Sequence, residues 1–198
     1  MRKTGAWDSS DHQALRPMPC NRLDRFTSGI VIFAKTWDAM RMINQKIQHR
    51  EIEKRYRCVV IGRPRPKRGK IENYLLKNQK ETIVSVHESP VPGSQYACME
   101  YRIVEVKNHL SLLDCRLVTG RTHQIRAQLA YSGVPILGDM RYGNKQMNRK
   151  CKKYHQELCA SQITFSFPTD AGVLNYLRGK TYGDVGNHRY KRRIAWHI

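Results

Sequence analysis

The apolar positions of this chain fall mostly into short runs and two-residue alternations, the spacing of strands, and only twice into the three-and-four spacing of a helix. Gly29-Ile-Val-Ile-Phe-Ala-Lys35 is a continuous apolar run of strand length, which predicts a strand buried on both faces and central in a sheet. The residues before it, 1–20, are polar and irregular and carry Pro17 and Pro19, as a loop does. Asp38 is a candidate cap for a helix bearing Met40, Ile43 and Ile47. Residues 56–61 are β-rich and end at Gly62, and two short strand candidates surround Ile71 and Val84. Two longer strands follow over 96–106 and 110–118, and the two-residue break Lys107-Asn108 between them predicts a hairpin, since Asn tolerates a positive φ. Residues 121–132 read as a second helix, with Ile125 and Leu129 four apart and Gly133 as its stop. Residues 163–167 alternate again, as a half-buried strand should. Many strands, few helices and hairpin-length connections predict an α+β fold on a mainly antiparallel sheet, within a single domain spanning residues 1–198.

Charge narrows the class of partner. Thirty-six Lys and Arg face sixteen Asp and Glu, a formal net charge of +20, spread along the whole chain. Such a surface repels itself and calls for a polyanion, with nucleic acid the leading reading, an anionic membrane the second, and a merely basic protein the bland alternative. The loop Arg63-Pro-Arg-Pro-Lys-Arg-Gly69 fits either a phosphate contact or an exposed connection, and the basic stretch 188–193 reads as a solvated tail. None of the six cysteines forms a CxxC pair, and Cys58, Cys98 and Cys115 lie in apolar runs where a free thiol acts as a small hydrophobe. Cys151, His155 and Cys159 share a helical spacing but lack a fourth ligand, so no metal is assigned. Without a signal peptide or an apolar run of membrane length, the chain reads as cytoplasmic, with reduced thiols and no membrane association.

Three segments carry candidate chemistry. In Asn21-Arg-Leu-Asp-Arg-Phe-Thr-Ser-Gly29, Asp24 sits between Arg22 and Arg25, which favour its ionised form; the segment alone fits a structural ion pair as well as a catalytic acid. In Thr119-Gly-Arg-Thr-His-Gln-Ile-Arg126, a glycine turn leads into a helix that Thr122 is placed to cap, and Arg121 and Arg126 at its N-terminus make an anion site. His123 there is either a general base or a hydrogen-bonded structural group. In Glu53-Lys-Arg-Tyr-Arg57, Tyr56 opens a strand as a core aromatic or as a stacking platform for a base.

Taken in order, these segments resemble the motifs of the RluA-type pseudouridine synthases. Arg22-Leu-Asp-Arg25 with Thr27-Ser-Gly29 resembles the first motif, Glu53-Lys-Arg-Tyr56 the second and Gly120-Arg-Thr-His-Gln-Ile-Arg126 the third. Gly133-Val-Pro-Ile-Leu-Gly-Asp139, Tyr142-Gly143, Leu158-Cys-Ala160 and Phe165-Ser-Phe-Pro168 extend the likeness over residues 15–168. The resemblance implies the catalytic domain of that family, with a central cleft in its sheet, and isomerisation of uridine to pseudouridine in ribosomal or transfer RNA. It implies Asp24 as the catalytic carboxylate, Arg121 as its ion-pair partner, and Tyr56 packed on the target uracil and assisting proton removal from C5. Arg22, Arg25, Thr122, His123 and Arg126 would contact the RNA. No cofactor and no obligate protein partner are implied. Asn21 stands where members usually have His, and the upstream Lys-Pro-x-Gly phrase and S4 domain of many members are not in the sequence. The expectation is therefore a chain that begins inside the catalytic domain, with the 29–35 strand left partly uncovered. An RNA-binding remnant without activity is the alternative.

Overall fold

The computed structural model describes residues 16–78 and 83–183. The tail 188–193 and most of the opening loop lie outside them. In chain order the strands are β1 (Met18–Pro19), β2 (Ser28–Gly29), β3 (Phe33–Ala34), β4 (Ile52–Ile61), β5 (Arg68–Lys77), β6 (Val84–His87), β7 (Gln95–Lys107), β8 (Leu110–Leu117), β9 (Leu158–Phe165) and β10 (Thr181–Gly183). The α-helices are α1 (Trp37–Gln48), α2 (Gln124–Tyr131) and α3 (Lys145–Lys150), joined by a 3₁₀ helix over Gly172–Leu177. The residues group into two compact units.

The smaller unit holds residues 16–22, Val31–Ile52 and Phe165–Lys180. Its strands β1 and β3 pair antiparallel, Met18 opposite Ala34 and Pro19 opposite Phe33. Helix α1 buries Ile43 as its apolar spacing predicts. Its cap is Thr36, whose Oγ1 accepts from the Ala39 amide at 3.2 Å, and not Asp38, which lies in the first turn and pairs with Arg41. The same face also buries Lys46, which the periodicity did not suggest. Its Nζ donates to Glu51 Oε2 at 2.7 Å and to Thr169 Oγ1 at 2.9 Å, and it lies 5.4 Å from the centroid of the Phe167 ring. A buried ammonium is tolerated only with partners of this kind.

The larger unit holds Leu23–Ile30, Glu53–Thr164 and residues 181–183. Its sheet runs in the order β10-β9-β4-β8-β7-β5-β6, with β2 alongside β9. The run β4, β8, β7, β5, β6 pairs antiparallel throughout, as do β9 and β10, while β2 pairs parallel with β9. The fold is thus α+β on a mixed, mainly antiparallel sheet. The hairpin between β7 and β8 turns at Asn108, φ 53°, and a register shift between Ile103 and Glu105 bulges β7.

Two strand expectations change. The apolar run 29–35 is not one buried central strand: Ser28–Gly29 joins β9, Phe33–Ala34 joins β1, and Phe33 is 54% exposed. Its residues pass from one unit to the other between Ile30 and Val31, so each half meets different neighbours. Tyr56 does not open a strand. It sits mid-way along β4, opposite Cys115 of β8, because the charged residues 53–55 extend the ladder upstream.

Successive side chains of a strand point to opposite faces, and the two faces of this sheet are built differently. On one, Tyr56, Cys58 and Val60 pack with Met99, Leu113 and Cys115 against Ile125 and Leu129 of α2. Every residue of α2 from Gln124 to Leu129 is buried, so its polar members need partners inside the protein. On the other face, Val59 and Leu112 pack with Leu137, Cys151 and, from α3, Met147.

Candidate active site

Asp24 stands in a loop held at several points. Leu23 packs against the core cluster that contains Tyr56. The Thr27 amide donates to the Asp24 carbonyl at 2.9 Å, closing a tight turn in which Phe26 has φ 69°. Gln156 Nε2 donates to the Arg25 carbonyl at 2.6 Å and to Thr27 Oγ1 at 3.2 Å. Phe26 stacks on His155 with ring centroids 4.0 Å apart, and the Arg25 guanidinium lies 4.9 Å from the Phe26 centroid. The loop then joins β9. Gly29 has φ 120°, and a Cβ there would lie 2.2 Å from the Ala160 carbonyl oxygen, so only glycine lets the two backbones meet.

From the turn before α2 and the helix itself come the groups that face this loop. Arg126 Nη1 donates to Asp24 Oδ2 at 3.2 Å. The rest of its guanidinium is held by Asp139, Nε to Oδ2 at 2.7 Å and Nη2 to Oδ1 at 3.1 Å. Asp139 is fully buried and also accepts the backbone amides of Arg141 and Tyr142 at 2.9 and 3.0 Å. Asn148, itself fully buried, holds the backbone of this turn by accepting from the Gly138 amide and donating to the Asp139 carbonyl. The Tyr142 ring centroid is 5.2 Å from the Arg126 guanidinium; its hydroxyl accepts the Val84 amide at 2.8 Å and shares a hydrogen bond of 3.0 Å with His123 Nδ1. The order Asp24, Arg126, Asp139 is a relay of charge-assisted bonds in which the two-pronged pair fixes the arginine and the third nitrogen orients Asp24.

The electrostatics follow from burial and pairing. Burial raises the carboxyl pKa of Asp139, but the Arg126 pair and the two backbone amides outweigh it and hold it below the ordinary value of 3.8. Burial likewise opposes the charge of Arg126, and its carboxylate partners overcome that and raise its pKa. Burial lowers the His123 pKa against the opposing pull of Asp24. Burial, followed by the charge of Asp24, pushes the Tyr56 phenol up to about 12, so it stays protonated at neutral pH. The depressed Asp139 pKa makes a prediction. A carboxyl whose folded pKa lies below its unfolded value adds stability that is complete above the unfolded value and lost as pH falls toward the folded one. The urea midpoint should therefore drop as pH falls through and below 3.8, and Asp139→Asn should flatten that part of the curve. Parallel curves for the two proteins would remove Asp139 from the account.

Several expected roles move. Arg121 is not the partner of Asp24: its Nε donates to the Tyr96 carbonyl at 3.0 Å on an exposed edge. Nor does Arg126 present an open phosphate site, because it is buried and bound to two carboxylates. The reason is helical geometry. Arg126 lies in the first turn of α2, within the stretch Gln124–Leu129 that is buried throughout, whereas Arg121 precedes the helix in the turn. Thr122 is exposed and does not cap α2; the cap position is His123, in the left-handed region at φ 53° and without a side-chain cap bond. Gln124 organises the turn instead, accepting from the Arg121 amide and the Thr119 hydroxyl. Arg25 is exposed at the loop, and Arg22 is exposed in the smaller unit. Asp139, Tyr142, Gln156 and Asn148 also belong to the site, beyond the residues the three motifs point to. The phrase Gly138-Asp139 followed by Tyr142-Gly143 was the available signal for the first two. Cys151 ends α3 and Cys159 lies in β9, so the helical spacing of Cys151, His155 and Cys159 is not realised, and no metal-binding cluster occurs among the described residues. No helix among the described residues is long and apolar enough to cross a membrane.

Comparison with known proteins gives a consistent result. The family model described as RNA pseudouridylate synthase matches residues 2–131. An uncharacterised RNA pseudouridine synthase of Chloroflexus aurantiacus is 39% identical over 132 residues, covering 67% of this chain and 40% of that protein. Ribosomal large subunit pseudouridine synthase C of Vibrio cholerae is 33% identical over 164 residues, covering 79% of this chain and 51% of its own length. In fold, the chain is similar to human RNA pseudouridylate synthase domain containing 1, with a TM-score of 0.68, 23% identity and coverage of 78% of this chain and 65% of that one. The chain spans about half the length of the curated relatives it matches. By its matched model, its relatives and its ordered motifs, this chain belongs to the RluA-type family of RNA pseudouridine synthases.

Proposed function

We propose that the protein isomerises uridine to pseudouridine in structured RNA, with Asp24 as the catalytic carboxylate. The observation that carries this reading is the relay from Asp24 through Arg126 to Asp139, which keeps one partly exposed carboxylate oriented beside the buried ring of Tyr56. The reaction breaks the N1–C1′ bond of uridine and forms a C5–C1′ bond, moving one proton from C5 to N1 overall. An ionised, oriented carboxylate suits attack on the anomeric carbon, action as a base on the sugar, or addition to the uracil ring. Arg126 keeps Asp24 aimed. Tyr56, with its phenol pushed up to about 12, serves as an apolar wall for the uracil more readily than as a proton acceptor at neutral pH. Taking the nucleotide out of its stack costs a few kcal/mol, which a basic surface offsets through phosphate contacts. Ribosomal RNA is the favoured substrate because several relatives carry that substrate in their names.

The test is incubation with total RNA from cells lacking the gene, followed by mapping of new pseudouridines. One or a few discrete sites are expected. RNA binding without any new pseudouridine would leave the protein as a binding remnant of the family.

A further inference from the structure

The sheet face opposite Asp24 and Tyr56 is covered by α3 only over part of its length. There Val59 and Leu112 lie under Met147 and Leu137. Two residues further along the same strands, the same face becomes charged. Strand register places Arg57, Asp114, Arg102 and Arg68 side by side across β4, β8, β7 and β5. The next row is Arg55, Arg116, Glu100 and Lys70. Together they line a groove of about 630 Å³.

The groove lining carries six Lys and Arg against two carboxylates, Glu100 and Asp114. Arg55 lies directly opposite Arg116, and Arg68 directly opposite Arg102, and like charges in facing positions of a sheet destabilise it. Carboxylates pair with every cation of the two rows except Arg68. Asp114, 3% exposed at its side chain, takes Arg102 at 2.8 Å and Arg55 at 3.2 Å, with Arg57 at 3.8 Å. Glu100 holds Arg116 in two-pronged fashion, Glu53 pairs with Arg55, and Glu72 pairs with Lys70. Arg102 remains 61% exposed at its side chain, and among the described residues Arg68 makes no ion pair. Two rows beyond, on the same face, Tyr74 and Tyr96 pack edge to face, and Tyr96 is 37% exposed.

We infer that this groove binds single-stranded RNA, its arginines and Lys70 on the phosphates and Tyr96 under a base. The inference rests on the proposed RNA-modifying function and adds a second contact surface to it, on the face away from Asp24. Pre-oriented guanidinium groups suit phosphate oxygens. An exposed ring beside a basic groove is what separates a nucleic-acid strand from an acidic peptide, because a base supplies a stacking face as well as charge.

The experiment measures binding of a fluorescent single-stranded oligouridylate across a salt series. The proteins are wild type, Arg68→Gln with Lys70→Gln, and Tyr96→Ala. The double variant should bind about tenfold more weakly at moderate salt, and its log–log salt slope should be shallower by about 1.4, two phosphate contacts on a single strand. Its thermal unfolding should change little, since relief of the Arg68–Arg102 repulsion offsets loss of the exposed Lys70–Glu72 pair. Tyr96→Ala should weaken binding without altering the slope. An unchanged affinity and slope in the double variant, or displacement of the RNA by polyglutamate as readily as by unlabelled RNA, overturns the inference. Failure of the proposed function has a different sign: no RNA gains pseudouridine with the wild-type protein, whatever the salt slopes.

Discussion

Asp24→Asn is expected to bring pseudouridine formation below detection while leaving RNA affinity and thermal stability close to wild type. The amide occupies nearly the same space and still accepts the Arg126 Nη1 hydrogen bond, so the loop pinned by Gln156 and β9 has no reason to move. It is neither a nucleophile nor a base, and each mechanism open to the carboxylate loses its acting group. The measurement is single-turnover pseudouridine formation alongside a binding isotherm on the same preparation. Substantial residual turnover would take Asp24 out of the chemistry and return it to the bland reading, a structural ion pair.

Arg126→Lys is expected to cost nearly as much turnover and to destabilise the fold as well. A lysine cannot offer two nitrogens to Asp139 and a third to Asp24. Misplacing a reacting group by about 1 Å lowers rates on the order of 100-fold, and loosening one side of a buried pair such as Arg126–Asp139 costs about 3–5 kcal/mol when the partner is left uncompensated. Kinetics taken well below the unfolding temperature separate the two effects. Arg121→Lys serves as the comparison: it loses one exposed bond to the Tyr96 carbonyl and should keep most of its turnover. If Arg121→Lys proves the inactive variant and Arg126→Lys retains wild-type turnover, the relay does not orient the catalytic group.

Much of the scaffold is legible along the chain. The β7–β8 hairpin with Asn108 at its turn, the strand around residues 56–61, the helix ending at Gly133 and the antiparallel sheet follow from alternation and turn residues, which act within a few positions. The reading fails where a segment's neighbours come from far away. The 29–35 run is apolar enough for a central strand, yet its two halves pair with β9 and β1 in different units. Lys46 falls on the buried side of α1 because Glu51 and Thr169 meet it there, and Thr169 lies more than a hundred residues away in sequence.

The candidate site divides in the same way. The sequence alone marks Asp24, Tyr56 and the turn before α2, because each motif is local and their order along the chain is itself the signal. Which arginine meets Asp24 is a tertiary fact. Arg121 and Arg126 lie in one phrase, and no local pattern states which partners meet the residues of a helix buried throughout its first six positions. The structure selects Arg126 because Asp139, 13 positions later, reaches back from a turn held by Asn148 and fills two of its three nitrogens. The rows of cations on the opposite sheet face are equally invisible in one dimension. Arg55, Arg68, Arg102 and Arg116 become neighbours only through strand register, which hydrogen bonding between distant segments decides.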